Sequence, residues 1–133
     1  MKPARICIIA GSDSGGGAGI QADIKTVTAL GGYAMTAVTA LTAQNTLGVQ
    51  GVEGVAPGFI RAQMESVLRD IGADALKTGM LHSPAVIEVV AETLAREAAD
   101  VPLIVDPVMV AQSGDRLVSD EAMAMLRAVL IPR

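Results

Sequence analysis

The run Ile6-Cys-Ile-Ile-Ala-Gly-Ser-Asp-Ser-Gly-Gly-Gly-Ala-Gly-Ile-Gln-Ala-Asp-Ile-Lys-Thr-Val27 decides the fold. Residues 6–10 are an unbroken apolar run of the kind that forms a strand buried on both faces of a parallel sheet. Ile20, Ile24 and Val27 then fall at i, i+4 and i+7, one helical stripe with Gln21, Asp23 and Lys25 off it. Between strand and helix lies a glycine-dense turn. There the backbone can approach a ligand without Cβ clashes, and the N–H groups of the first helical turn have no intrahelical partner. A polar or anionic small molecule is the expected occupant; a solvent loop without a ligand is the plainer alternative. Two familiar phosphate loops do not fit. From Gly11 the second P-loop glycine is Gly16, but Gly17 and Ala18 stand where lysine and a hydroxyl residue are required; a dinucleotide fingerprint from Gly15 and Gly17 ends on Ile20.

A length of 133 residues suits one domain. The composition is 51% hydrophobic but only 2% aromatic, so the core is aliphatic, as helix-on-sheet layers favour. Ten basic against 14 acidic residues give a net charge of −4 without a basic cluster, which argues against nucleic acid and anionic membrane as partners. The single cysteine, Cys7, has no internal disulfide partner and reads as a core residue of a cytoplasmic protein. No apolar run approaches the length of a membrane span, and no signal-peptide pattern precedes the first strand.

Gly31-Gly32 ends the first helix, and residues 35–41 read as a second strand. The polar cluster 42–46 follows, at the carboxyl end where open α/β sheets bind ligands. Residues 48–55, with glycine at 48, 51 and 54, carry too little bulk for a core strand and are expected as an exposed loop or edge flap. Pro57 opens a helix with Ile60, Met64, Val67, Leu68 and Ile71 on its stripe. Residues 75–78 form a short strand. Ser83-Pro84 starts a helix carrying Val86, Ile87, Val90, Ala91 and Leu94. Residues 102–105 are a fourth strand, and Ser119-Asp-Glu opens a last helix facing the core with Leu126, Val129 and Leu130. Strand followed by helix, four times over, predicts an α/β fold, a three-layer parallel sheet with helices on both faces. Four parallel strands leave apolar edges open, so a truncated piece of a larger sheet is expected.

Five segments carry a family likeness: residues 10–23, Thr-Ala-Gln-Asn-Thr at 42–46, Lys-Thr-Gly-Met-Leu at 77–81, Asp-Pro-Val-Met at 106–109 and Ser-Gly-Asp at 113–115. In this order and spacing they closely resemble the hydroxymethylpyrimidine and phosphomethylpyrimidine kinases of thiamine biosynthesis. The resemblance implies a ribokinase-like fold that uses ATP and Mg2+ to phosphorylate 4-amino-5-hydroxymethyl-2-methylpyrimidine and then its monophosphate. It puts Gln44 on the pyrimidine ring, where an amide can both donate and accept. It puts Asp23, Gly11, Ala18 and Met80 around the same pocket, and Asp106 near the transferring phosphates and the magnesium. Family members are about twice as long, and their Thr-Pro-Asn-x-x-Glu and Gly-Thr-Gly-Cys segments do not occur in these residues. Residues 1–133 are thus expected to be the N-terminal, pyrimidine-binding half. The nucleotide half and the group that activates the substrate hydroxyl lie outside it, and the full-length protein is expected to be a homodimer.

Two rivals stay open: the sister pyridoxine and pyridoxal kinases, and a non-catalytic pyrimidine-binding half-domain. The bland readings also stand beside each residue. Asp23 could face solvent, Asp106 could only shape the turn before Pro107, and Met80 and Met109 could be core methionines. His82 reads as a loop or helix-start residue without metal partners. Lys25 and Lys77 read as helix-surface and strand-end pairing residues rather than phosphate ligands.

Overall fold

The computed structural model describes residues 2–132. Its elements run β1 (Arg5–Asp13), α1 (Gly19–Ala29), β2 (Tyr33–Asn45), β3 (Gly48–Gly54), α2 (Pro57–Asp70), β4 (Ala75–Thr78), α3 (Pro84–Glu97), β5 (Leu103–Val105) and α4 (Asp120–Val129). The apolar run at residues 6–10 lies in the centre of one sheet of order β3-β2-β1-β4-β5. β1 pairs in parallel with β2 and β4, and β5 extends the β4 side in parallel.

Alternation along β1 sends Cys7 and Ile9 to one face and Ile8 and Ala10 to the other, all of them buried. The first face meets α2, α3 and α4 through Ile60, Met64, Ile87, Leu94 and Leu126. The second meets α1 through Ile20 and Val27. Each fully buried isoleucine or leucine contributes roughly 2 kcal/mol of transfer free energy, and these two layers fix the strand ends that build the site. Ser83 and Ser119 cap their helices as expected, accepting from the backbone N–H of Val86 at 3.3 Å and Ala122 at 3.2 Å.

The sheet is mixed rather than parallel. Residues 48–54 form an edge strand antiparallel to β2, not a loop. The reversal is tight because the Asn45 side-chain oxygen accepts from the N–H groups of Leu47 at 2.9 Å and Gly48 at 3.2 Å. β1 and β2 also run beyond their apolar cores, to Asp13 and Asn45, so the polar cluster is mostly strand. Two expected core positions are uncovered: Ile24 is 37% and Val129 is 42% exposed.

On the solvent side α2 and α3 are joined through Glu97, which accepts from Arg69 Nη2 at 2.7 Å and Arg96 Nε at 2.8 Å. Arg69 first and Arg96 second lower its carboxyl from 4.5 to about 2. A carboxylate depressed in the folded state adds stability that is present above its unfolded value and lost as pH falls towards the folded one. Glu97→Gln is therefore expected to shrink the loss of thermal stability between pH 4.5 and about 2. Asp74, held at about 2 by Arg5, keeps part of that acid limb in the variant. Melting curves over this range check it, and an unchanged limb rules the pair out as a contributor.

Candidate functional site

The chain leaves β1 over one face through α1 to β2 and comes back over the other through α2 to β4, so β1 marks a topological switch point, where open sheets bind ligands at the carboxyl edge. The carboxyl ends of β1, β2 and β4, with Asp106 just beyond β5, meet there around a cavity of about 730 Å³. Ligand pockets span roughly 300 to 1,000 Å³. Gly11, Ala18, Asp23, Gln44, Met80 and Asp106, all singled out from sequence, line this one cavity. Met80 is 7% exposed and Met109 is 46% exposed and outside the lining. His82 also lies away from it. Its ring packs against Gly54, where a Cβ would come within 2.6 Å of Nε2, and burial pushes its pKa down.

The glycine turn carries an anion of its own, just ahead of the first helical turn. Asp13, 6% exposed, accepts from the backbone N–H groups of Gly15 at 2.7 Å, Gly17 at 2.9 Å and Ala18 at 2.8 Å. The turn before α1 is wound around its own carboxylate, which takes up these three donors. Ala18, the N-cap of α1, has no side chain that can cap the helix, and the Asp13 charge sits where the helix dipole favours it. Gln21 braces the same carboxylate's backbone: its Oε1 accepts from Asp13 N at 2.8 Å and its Nε2 donates to Ser12 Oγ at 2.7 Å. Lys25 donates to the Gly16 carbonyl at 2.7 Å.

The turn is stitched to the end of β2. Ser14 Oγ donates to the Gln44 carbonyl and accepts from the Gln44 N–H, both at 2.8 Å. Thr42 Oγ1 lies 3.0 Å from the Ser12 carbonyl and 3.2 Å from the Gln44 amide oxygen. The Gln44 side chain is thereby aimed from a fixed backbone.

Across the cavity Lys77 joins two carboxylates. Its Nζ donates to both Asp23 oxygens at 2.8 and 2.9 Å and lies 3.3 Å from Asp106 Oδ2. Asp23 is therefore an ion-paired wall of the cavity and not a solvent-facing helix acid. Lys77 pairs at a strand end as expected, but inside the cavity, so it sets local charge there. The segment after Asp106 lines the cavity through Val108, Val110 and residues 111–113; Asp115 ties it to the edge strand by accepting from Val49 N at 3.0 Å and also accepts from Ser113 Oγ at 2.6 Å. Those bonds, the Ser113 hydroxyl first, hold the Asp115 carboxyl below the usual range.

A magnesium ion is tested by the donors at hand. Among the described residues no three His, Cys, Asp or Glu side chains cluster to hold a metal. Asp106 alone is half exposed and able to give one oxygen. That suits Mg2+, which is commonly bound by one or two carboxylates plus substrate phosphates, and does not suit a resident ion.

The sheet order and its switch-point cavity define a ribokinase-like α/β chain. A phosphomethylpyrimidine kinase from Clostridium difficile 630 matches it with a TM-score of 0.88 at 47% identity, over 97% of this chain and 55% of that one. A pyridoxal kinase from Staphylococcus aureus in complex with pyridoxal matches with a TM-score of 0.86 at 32% identity, over 100% of this chain and 48% of that one. In sequence, the hydroxymethylpyrimidine/phosphomethylpyrimidine kinase of Mycobacterium leprae is 52% identical over 130 residues, 98% of this chain and 47% of that protein. The family model for phosphomethylpyrimidine kinase matches residues 13–133, and the chain belongs to that family. It spans about half the length of the curated relatives it matches.

Proposed function

We propose that residues 1–133 are the pyrimidine-binding half of a kinase that phosphorylates 4-amino-5-hydroxymethyl-2-methylpyrimidine, and then its monophosphate, with ATP in thiamine biosynthesis. The observation that carries this reading is the Gln44 amide at the wall of a cavity about 730 Å³ in volume, in a chain of this family. Gln44 takes the amino and ring-nitrogen edge, Met80 the apolar ring face, and the glycine turn closes the far side. Gly11, Ala18 and Asp23 complete the wall. Asp106 is the residue that would hold a magnesium ion beside the phosphates, and such an ion would supply charge neutralisation to a reaction otherwise driven by positioning.

The carboxylates lining the cavity are all engaged, Asp13 by backbone donors and Asp23 and Asp106 by Lys77. Asp13 and Asp23 are thereby held as paired anions, which supports assigning the group that activates the substrate hydroxyl to the part of the full-length protein outside residues 1–133. A cytoplasmic location and a full-length homodimer belong to the same proposal. No helix of the described residues is long and apolar enough to cross a membrane.

A coupled ATP-consumption assay on the complete gene product tests the function. Turnover of hydroxymethylpyrimidine supports it, and turnover of pyridoxine alone moves the assignment to the vitamin B6 kinases. Gln44→Ala is expected to cost about 1 to 3 kcal/mol of pyrimidine affinity, since it leaves ring donors and acceptors unpaired in the cavity. Isothermal titration reads this directly, and unchanged affinity removes Gln44 from the site.

A further inference from the structure

Resting on the pyrimidine-binding reading, we propose that Thr42 is a specificity-setting positioning residue, which fixes the orientation of the Gln44 amide so that its oxygen faces the ligand. Thr42 Oγ1 stands between two groups, the Ser12 carbonyl at 3.0 Å and, at 3.2 Å, the end of the Gln44 amide placed there as Oε1. A hydroxyl has one proton to give. The Ser12 carbonyl is fixed in the backbone of β1 and can only accept, so the nearer contact takes that proton. The lone pairs of Thr42 then remain for the amide, and the contact at 3.2 Å is a hydrogen bond only if the amide nitrogen is the atom that occupies it. An amide's oxygen and nitrogen are nearly equal in shape and are told apart by their partners. With Nε2 on Thr42 both contacts are hydrogen bonds; with Oε1 there, two acceptors compete for one proton.

No other protein group among the described residues pairs with the far end of this side chain. Gln44 thus shows the cavity an acceptor, Oε1, beside the remaining N–H of Nε2, in an order that Thr42 holds. A ligand must answer with a donor beside an acceptor. The exocyclic amino group and neighbouring ring nitrogen of a 4-aminopyrimidine do so. A 4-oxopyrimidine shows the reverse, a carbonyl beside a ring N–H, and is rejected unless the amide turns over.

The test is calorimetric titration of the chain and its Thr42→Val and Thr42→Ser variants with 4-amino-5-hydroxymethyl-2-methylpyrimidine and its 4-oxo analogue. The unsubstituted chain is expected to prefer the amino compound by at least about tenfold. Thr42→Val, matched in shape but without the hydroxyl, frees the amide to turn over, and the preference is expected to fall close to unity. Thr42→Ser is expected to keep it. A preference that survives in Thr42→Val overturns the proposal while leaving the binding reading intact, and no binding of either compound by the unsubstituted chain overturns both. If Thr42→Val does not fold, nuclear Overhauser contacts in the unsubstituted chain decide: the Gln44 amide protons are expected close to the Thr42 methyl, and their absence there overturns the proposal.

Discussion

Asp13→Ala is expected to lower the stability of the chain by about 3 kcal/mol and to weaken pyrimidine binding more than tenfold. Hydrogen bonds to a charged group are each worth roughly 1.5 to 3 kcal/mol net, and this carboxylate accepts three, from Gly15, Gly17 and Ala18. The full sum is not expected, because the tip of the turn is open to water, which re-solvates part of what the substitution strands. The binding loss has a separate origin. Without the internal anion the glycine-rich segment has no reason to keep one conformation, and Ser14, whose hydroxyl clamps the Gln44 backbone at 2.8 Å on both sides, moves with it. Asp13→Asn should fall between, since one amide oxygen retains part of the acceptor set while its NH2 faces donors. Urea denaturation and calorimetry of the two variants measure both effects. Full stability in Asp13→Ala would show that the turn is held by its other bonds, those of Gln21 and Lys25.

The sequence made the centre of this fold readable because β1 is apolar without interruption and α1 follows it with a helical stripe. The caps at Ser83 and Ser119 were legible for the same local reason, a hydroxyl placed directly before a helix. β3 was not. Its glycines give no apolar signature, and an edge strand needs none when a turn folded on Asn45 delivers it to the open side of β2. Ile24 and Val129 show a different limit: periodicity identifies the stripe of a helix, but whether a neighbour covers each position depends on the rest of the layer. In the site, six residues named from motifs meet around one cavity, whereas Asp13 went unread. An aspartate between serines before a run of glycines marks a turn; that three backbone donors converge on it follows only from the conformation of the turn. Lys77 pairs as its sequence position implies, but its two partners stand 54 and 29 positions away, on separate elements, so the sequence alone does not reveal that the pairing lies in the cavity.

Gly19→Ala and Gly31→Ala are expected to separate the cost of backbone conformation from the cost of crowding, with the larger effect at Gly19. Both residues have positive φ, +56° at Gly19 and +80° at Gly31, where a side chain costs about 1 to 2 kcal/mol. At Gly31 an added Cβ meets nothing within 4 Å, so Gly31→Ala should lose about 1 kcal/mol and leave ligand binding untouched. At Gly19 the same atom would lie 2.4 Å from the Gly11 carbonyl oxygen and 3.2 Å from Asp13 N. Those are backbone atoms that cannot step aside without opening the junction of β1 and α1. The overpacking adds roughly 1 to 3 kcal/mol, so the total for Gly19→Ala should reach about 3 to 4 kcal/mol. Because Gly11, Asp13 and Gly19 all line the cavity, the displacement reaches the ligand, and pyrimidine affinity should fall together with stability. Chemical denaturation beside calorimetric titration reads both. Equal losses at the two glycines would mean that the turn yields freely at Gly19, and a turn that yields there could not hold Ser14 and Gln44 in the register the site requires.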